Sequence, residues 1–186
     1  MRIAGGEAGG RTISVPASGE IRPTQESVRE ALFNIISGSI GGAKFLDLFS
    51  GSGAVGLEAL SRGASSATFV EANRRHIMII RKNIETLFGN SASRAIVVEA
   101  DVYKWIERYS GEPFDIVFAD PPYALGEEKG YSDMLSTLAK RGLLQIGGLF
   151  IAEMVSRQPI PDCDGWELYR DRRYGKTRLA IWRRTK

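Results

Sequence analysis

The chain has 186 residues, with 43% hydrophobic and 25% charged side chains and a formal net charge of +3. That balance excludes a disordered or fibrous chain and fits one core-forming domain with at most a small appendage. One cysteine, Cys163, and one histidine, His76, leave no basis for an internal disulfide, a Cys/His metal centre or a Ser-His-Asp triad, so no metal is expected.

Residues 1–24, rich in Gly, Ser, Thr and Pro, predict turns with short strands, Arg11–Val15 alternating most clearly. Val28, Leu32, Ile35 and Ile36 predict a helix over Gln25–Ser37, with Thr24 as its N-cap and Gly38 as its stop. Residues 1–40 are thus read as an N-terminal appendage, and residues 41–186 as a catalytic domain. Within that domain, short apolar strands are predicted at Lys44–Phe49, Ala67–Val70, Ala95–Val98, Phe114–Ala119 and Leu149–Val155. Helices are predicted between them at Ala54–Arg62, Asn73–Phe88, Val102–Tyr109 and Ser132–Arg141. The alternation predicts an α/β fold with a mainly parallel sheet covered on both faces. Trp166–Tyr174 and Thr177–Arg184 predict an antiparallel hairpin at the sheet edge around Gly175-Lys176.

Trp166–Lys186 holds eight Lys and Arg against Glu167 and Asp171, a surplus of six positive charges on a chain whose total is +3. Such a segment fits either a polyanionic partner such as nucleic acid or a solvated terminal hairpin. No apolar run approaches the roughly 20 residues of a membrane span, and no apolar leader follows Met1. A cytoplasmic protein without membrane contact is expected.

Asp47-Leu48-Phe49-Ser50-Gly51-Ser52-Gly53-Ala54-Val55-Gly56 leaves a strand and opens a helix, the place where α/β sheets bind ligands. Gly51 and Gly53 permit a sharp turn, and Gly56 permits close packing of helix on strand. The glycine spacing matches a dinucleotide fingerprint, with Glu71 20 positions beyond Gly51, so a nicotinamide-dependent oxidoreductase is one reading. Asp47 opposes it, because a carboxylate there repels a pyrophosphate and suits an ammonium. S-adenosyl-L-methionine combines an ammonium with a ribose. Glu71 is positioned to accept the ribose hydroxyls and Asp101 the adenine amine, with Val102 offering an amide and an apolar contact. Either acid alone reads as a helix cap.

After the fourth strand comes Asp120-Pro121-Pro122-Tyr123. Two prolines stiffen this loop and remove two backbone donors, leaving its carbonyls as acceptors. Asp120 and the Pro121 carbonyl suit the two hydrogens of an exocyclic amine, with Tyr123 stacking on the ring. Acceptors on those hydrogens localise the nitrogen lone pair, and orientation towards an activated sulfonium methyl supplies much of the rate.

Asp47–Gly53 and Asp120–Tyr123 resemble the two core motifs of class I S-adenosylmethionine-dependent methyltransferases that methylate amines. More narrowly, the chain resembles the RsmD family of bacterial small-subunit rRNA methyltransferases, which act on the N2 amine of guanine. Arg2-Ile3, Gly5-Gly6, Arg22-Pro23-Thr24, Val28–Asn34, Leu46–Gly63 and Tyr174–Thr177 extend the resemblance almost end to end. It implies a Rossmann-like, seven-stranded, mainly parallel sheet whose last strand is antiparallel. It implies that Arg22–Thr24 close over the cofactor or the target base. Cofactor contacts carry over to Thr24, Asp47, Phe49, Ser50, Gly51, Ser52, Gly53 and Ala54. Further contacts fall on Glu71, Ala72, Asp101, Val102 and Asp120. Asp120, Pro121, Pro122 and Tyr123 carry over as the catalytic loop. Family members usually place basic and aromatic residues in the first glycine-rich turn, where this chain has Glu7-Ala8-Gly9-Gly10. RNA contacts are therefore expected from Arg2, Arg11, Arg22, Arg172, Arg173 and Lys176. The expected partner is 16S rRNA within an assembling small subunit, met by a monomer and presenting a splayed base. Amino-methylation of DNA adenine or protein glutamine is the alternative within the same chemistry.

Overall fold

The computed structural model describes residues 1–16, 26–122 and 130–186. Five strands, β1 (Lys44–Leu48), β2 (Ser66–Glu71), β3 (Ala95–Glu99), β4 (Phe114–Ala119) and β5 (Leu144–Val155), precede a hairpin of β6 (Trp166–Tyr174) and β7 (Thr177–Arg184). They form one sheet in the order β3-β2-β1-β4-β5-β7-β6. All pairings among β1–β5 are parallel, and β7 enters antiparallel between β5 and β6. The chain winds outward from β1 to β3, then returns to place β4 on the other side of β1. That reversal opens a crevice between the carboxyl ends of β1 and β4.

Alternation along the strands divides the core in two. Phe45, Phe69, Ile116 and Phe118 pack with α1 (Glu26–Ile35), α3 (Ala54–Ser61) and α4 (Arg74–Phe88). Leu46, Leu48, Val117 and Phe150 pack with α5 (Val102–Arg108) and α6 (Gly130–Lys140) on the opposite face. No helix among the described residues is long and apolar enough to cross a membrane.

Three local expectations need correction. The first helix ends at Ile35, and Gly38 lies inside a separate turn of helix, α2 (Ser37–Ile40), instead of stopping α1. Ile36 and Ile40, four residues apart, are both buried, and a further helical turn keeps both on the core face. Strand β5 begins at Leu144, not Leu149, because a register shift against β4 absorbs the Gly147-Gly148 pair. A Cβ on Gly148 would lie 2.9 Å from the Asp115 carbonyl oxygen, so the glycine permits a close backbone approach. Arg11–Val15 is not a strand: one bridge, Arg2 to Thr12, is all the pairing it has among the described residues.

Residues 1–16 instead dock on α3. Glu58, fully buried, accepts from the amides of Ala4 and Gly5 at 2.8 Å each, from Arg62 Nε at 2.7 Å and from Arg29 Nε at 3.3 Å. Arg29, also fully buried, donates to the Arg2 carbonyl. Ser61 Oγ accepts from the Ala8 amide and donates to the Gly5 carbonyl. Ile3, Ala8 and Ile13 join the same apolar cluster as α1 and the sheet.

Candidate functional site

The strand register brings the predicted acids to one edge. Leu48 pairs with both Val70 and Ala119, so Glu71 and Asp120 follow on either side of the β1 end. Glu71 pairs with Glu99, two residues before Asp101.

The turn after β1 is tightly specified. Phe49 has φ 60, the one positive φ of a non-glycine among the described residues, and Gly51 and Gly53 follow at φ 54 and 78. Holding a bulky residue there costs energy that the surrounding bonds must over-determine. Ser50 Oγ donates to the Asp47 carbonyl at 2.7 Å, and the Gly53 amide donates to the Ser50 carbonyl at 2.7 Å. The Phe49 ring meets Tyr103 edge-on at 5.7 Å. A Cβ on Gly56 would lie 2.3 Å from the Phe69 ring, which accounts for glycine at this position in α3. Ser52 is buried, and Ala54 begins α3.

Asp47 is buried beneath this turn, and its Oδ2 accepts from the Gly56 amide at 2.9 Å. Burial raises its pKa to about 7, against the opposing effect of the Gly56 hydrogen bond and with a further push from Glu71. Asp47 therefore fixes the start of α3 to β1 and places a titratable charge under the turn. Glu71 accepts from the Gly51 amide at 2.9 Å through Oε2 and from the Asn73 amide at 2.8 Å through Oε1. A carboxylate has about four acceptor positions, so capacity remains for two ribose hydroxyls. Buried His76 places Nδ1 3.6 Å from Glu71. Ala72 is exposed beside it. Asp101 caps α5 through the Lys104 amide at 3.0 Å while staying exposed, with Val102 buried next to it. It serves as a cap and still faces the edge.

Asp120 is half-buried at the end of β4, Pro121 is buried and Pro122 exposed. Tyr123, Thr24 and Arg22 lie outside the described residues. Beyond β5, the same edge opens into a cavity of about 570 Å³ between the first turn of α6 and residues 155–161. Arg178 pins that loop, donating to the Gln158 carbonyl at 2.8 Å and to both Asp171 oxygens at 2.7 Å. This bidentate pair holds the Asp171 carboxyl below its ordinary pKa.

The expected RNA contacts are dispersed. Arg2 is exposed near the N-terminus, and Lys176 is exposed in the β6–β7 turn. Arg11 caps the end of α4, donating to the Leu87 carbonyl at 2.6 Å and to that of Thr86. Arg172 pairs with Leu179 and Arg173 with Arg178, so these neighbours occupy opposite faces. Sequence reasoning missed Asn83, which is buried on α4. It accepts from the Ser14 amide at 2.8 Å and donates to the carbonyls of Ser14 and Ser52. It thereby ties the N-terminal segment to the glycine turn. An amide between Ile80 and Leu87 on an apolar helix face was the available signal.

Comparison with known proteins identifies the family and the fold. The family model described as "Conserved hypothetical protein 95" matches residues 1–183. Ribosomal RNA small subunit methyltransferase D of Escherichia coli K12 is 36% identical over 185 residues, spanning 99% of this chain and 90% of that protein. The solved structure of Escherichia coli yhhF superposes with a TM-score of 0.87 at 34% identity, covering 100% of this chain and 98% of the other. An RNA methyltransferase from Salinibacter ruber, solved with S-adenosyl-L-homocysteine, shares the fold at 15% identity, with a TM-score of 0.66 over 89% of this chain and 95% of that one. With its family match and a full-length relative this similar, the chain belongs to the RsmD family, of class I methyltransferase fold.

Proposed function

We propose that the protein transfers a methyl group from S-adenosyl-L-methionine to the exocyclic N2 amine of a guanine in small-subunit rRNA. The observation that carries this reading is the shared edge of Asp47, Glu71 and Asp120 around a left-handed glycine turn. When bound, the cofactor supplies a sulfonium methyl whose departure leaves a neutral thioether. Gly51 and Gly53 admit its close approach, Glu71 retains acceptor capacity for its ribose, and Asp101 and Val102 border the adenine position. Asp47 supplies negative charge beneath the ammonium, acting through the field rather than by contact. Asp120 and the Pro121 carbonyl accept from the target amine and orient its lone pair, and Tyr123 stacks on the guanine. Residues 41–186 form the catalytic domain. Residues 1–40 form an appendage that includes Arg22 and Thr24, to which contacts with the target base and the cofactor are assigned. The relatives named ribosomal RNA small subunit methyltransferase D support the small-subunit rRNA substrate, and the reading is completed by a monomer acting in the cytoplasm on 16S rRNA of an assembling subunit.

Calorimetric titration with S-adenosyl-L-homocysteine and with NAD tests the cofactor assignment. The homocysteine compound is expected to bind and NAD not, and the reverse would favour the oxidoreductase. Because Asp47 is protonated below about pH 7 in the free protein, an ammonium ligand must expel that proton. Affinity should therefore fall as pH drops below 7, by no more than about tenfold per pH unit, and level off above it. Asp47→Asn should flatten that dependence. A wild-type affinity indifferent to pH across this range contradicts the role given to Asp47.

A further inference from the structure

The positive charge of the last 21 residues is not one surface. Arg178 is buried in its pair with Asp171. Arg184 donates to the carbonyls of Ala139, Leu144 and Lys186, and Lys186 pairs with Asp164. Arg173 shares the opposite sheet face with Arg178.

What remains is a row on one face. Cross-strand partners in an antiparallel pair lie on the same face. Arg170 pairs with Ile181 and Arg172 with Leu179, and both partners belong to the cluster under α1, α3 and α4. Arg183, two residues beyond Ile181, shares that face. Half-buried Tyr169, at the register shift in β6, packs against the same cluster. The guanidinium carbons of Arg170 and Arg183 lie 4.0 and 4.2 Å from its ring centroid. Both guanidiniums are thus held by the one ring. Arg170 is fixed further by donating to the Tyr169 carbonyl at 2.7 Å. Stacking orders both guanidiniums and leaves N–H edges for acceptors. Glu167, opposite Arg183, is the one acid of β6 and β7 on this face.

The row also has a direction. Strand β6 runs parallel to β5, since both are antiparallel to β7. Its end at Tyr174 and the Lys176 turn therefore lie at the carboxyl edge with Asp120, while Arg183 lies beside Leu149, towards the opposite edge.

We propose that Arg183, Tyr169, Arg170 and Arg172 form a docking stripe for the phosphate backbone of the substrate RNA, leading along β6 to the catalytic edge. The assignment rests on the RNA-methyltransferase reading for its substrate, and on the stacked guanidiniums for its place. Polyanion charge matches a row of three cations, and rigid guanidiniums lose little freedom on binding phosphate.

The test is equilibrium binding of the full chain to a small-subunit rRNA transcript across a salt series, with methyl transfer measured in parallel. The double variant Arg170→Gln/Arg183→Gln should lose at least about tenfold in affinity, and its log–log salt slope should become shallower by about two. Tyr169→Leu should weaken binding with little change of slope, because it loosens the cations without removing them. Arg173→Gln, a residue that the strand register places on the other face and so removes from the expected RNA contacts, should match wild type. Unchanged S-adenosyl-L-homocysteine binding shows that each variant is folded. A double variant with wild-type affinity and slope overturns the stripe, as does an Arg173→Gln loss equal to it. Wild-type binding with methyl transfer neither to the transcript nor to small-subunit particles leaves the stripe standing and refutes the enzymatic reading; a wild type that methylates either substrate yet binds the transcript without salt dependence overturns the stripe alone.

Discussion

Asp120→Ala is expected to abolish methyl transfer while leaving cofactor affinity within about tenfold of wild type, or about 1.4 kcal/mol. The two effects separate because of where Asp120 stands. It follows Ala119, which pairs with Leu48 at the β1 end, whereas the positions proposed for ribose and ammonium are at Glu71, ending β2, and Asp47, in β1. Removing Asp120 removes the acceptor proposed to orient the amine lone pair, and the one histidine of the chain, His76, stands beside Glu71 and not beside β4. Glu71 ends β2, and β1 lies between β2 and β4. Single-turnover transfer and calorimetric titration measure the two quantities on one preparation. A fully active Asp120→Ala enzyme would reject the proposed role of the loop.

The largest effect on stability is expected at Glu58. Its carboxylate and the Arg29 guanidinium are both fully buried, and Glu58 also accepts from Ala4, Gly5 and Arg62. Glu58→Ala leaves the Arg29 charge buried without its counter-charge and releases two backbone amides. Breaking a buried pair from one side costs about 3–5 kcal/mol. The exposed pair Lys44–Glu112 offers a contrast within the same molecule, since solvent screens a surface pair and leaves it little weight in stability. Urea unfolding of Glu58→Ala and Glu112→Ala should reproduce this order. Similar midpoints for the two would show that the ion pair does not hold the N-terminal segment to α3. Amide exchange at Ala4 and Gly5 should accelerate in the Glu58 variant alone.

The parts of the fold that follow from local periodicity were legible. Strand–helix alternation from Lys44 to Val155 and the hairpin around Gly175-Lys176 appear close to where the pattern places them. Glycines explain much of the rest. Gly56 was readable as a packing glycine, because a spacing motif demands one there. Gly147-Gly148 looked like a strand boundary, because nothing local reveals that Asp115 of the neighbouring strand lies against it. The turn after β1 was legible as a motif because its residue types are dictated by backbone geometry at one point of the chain. Charge partners were not. Arg11 read as a surface cation, yet it caps a helix 75 residues away in sequence. The tail arginines read as one basic patch, and strand register divides them between faces, carbonyl caps and a buried pair. Glu58, a lone charge in the apolar run Ala-Val-Gly-Leu-Glu-Ala-Leu, was a readable anomaly whose partners only the tertiary fold supplies.

The measurement that tests the central claim most directly uses small ribosomal subunits from cells lacking this protein. They are incubated with the purified chain and S-adenosyl-L-methionine labelled in its methyl group, and the rRNA is then digested to nucleosides. The account predicts label in N2-methylguanosine, absent with the Asp120→Ala protein. Label in another nucleoside would contradict the guanine-N2 assignment. A chain that binds the cofactor yet labels neither these particles nor protein-free small-subunit rRNA would contradict the assignment of an rRNA substrate.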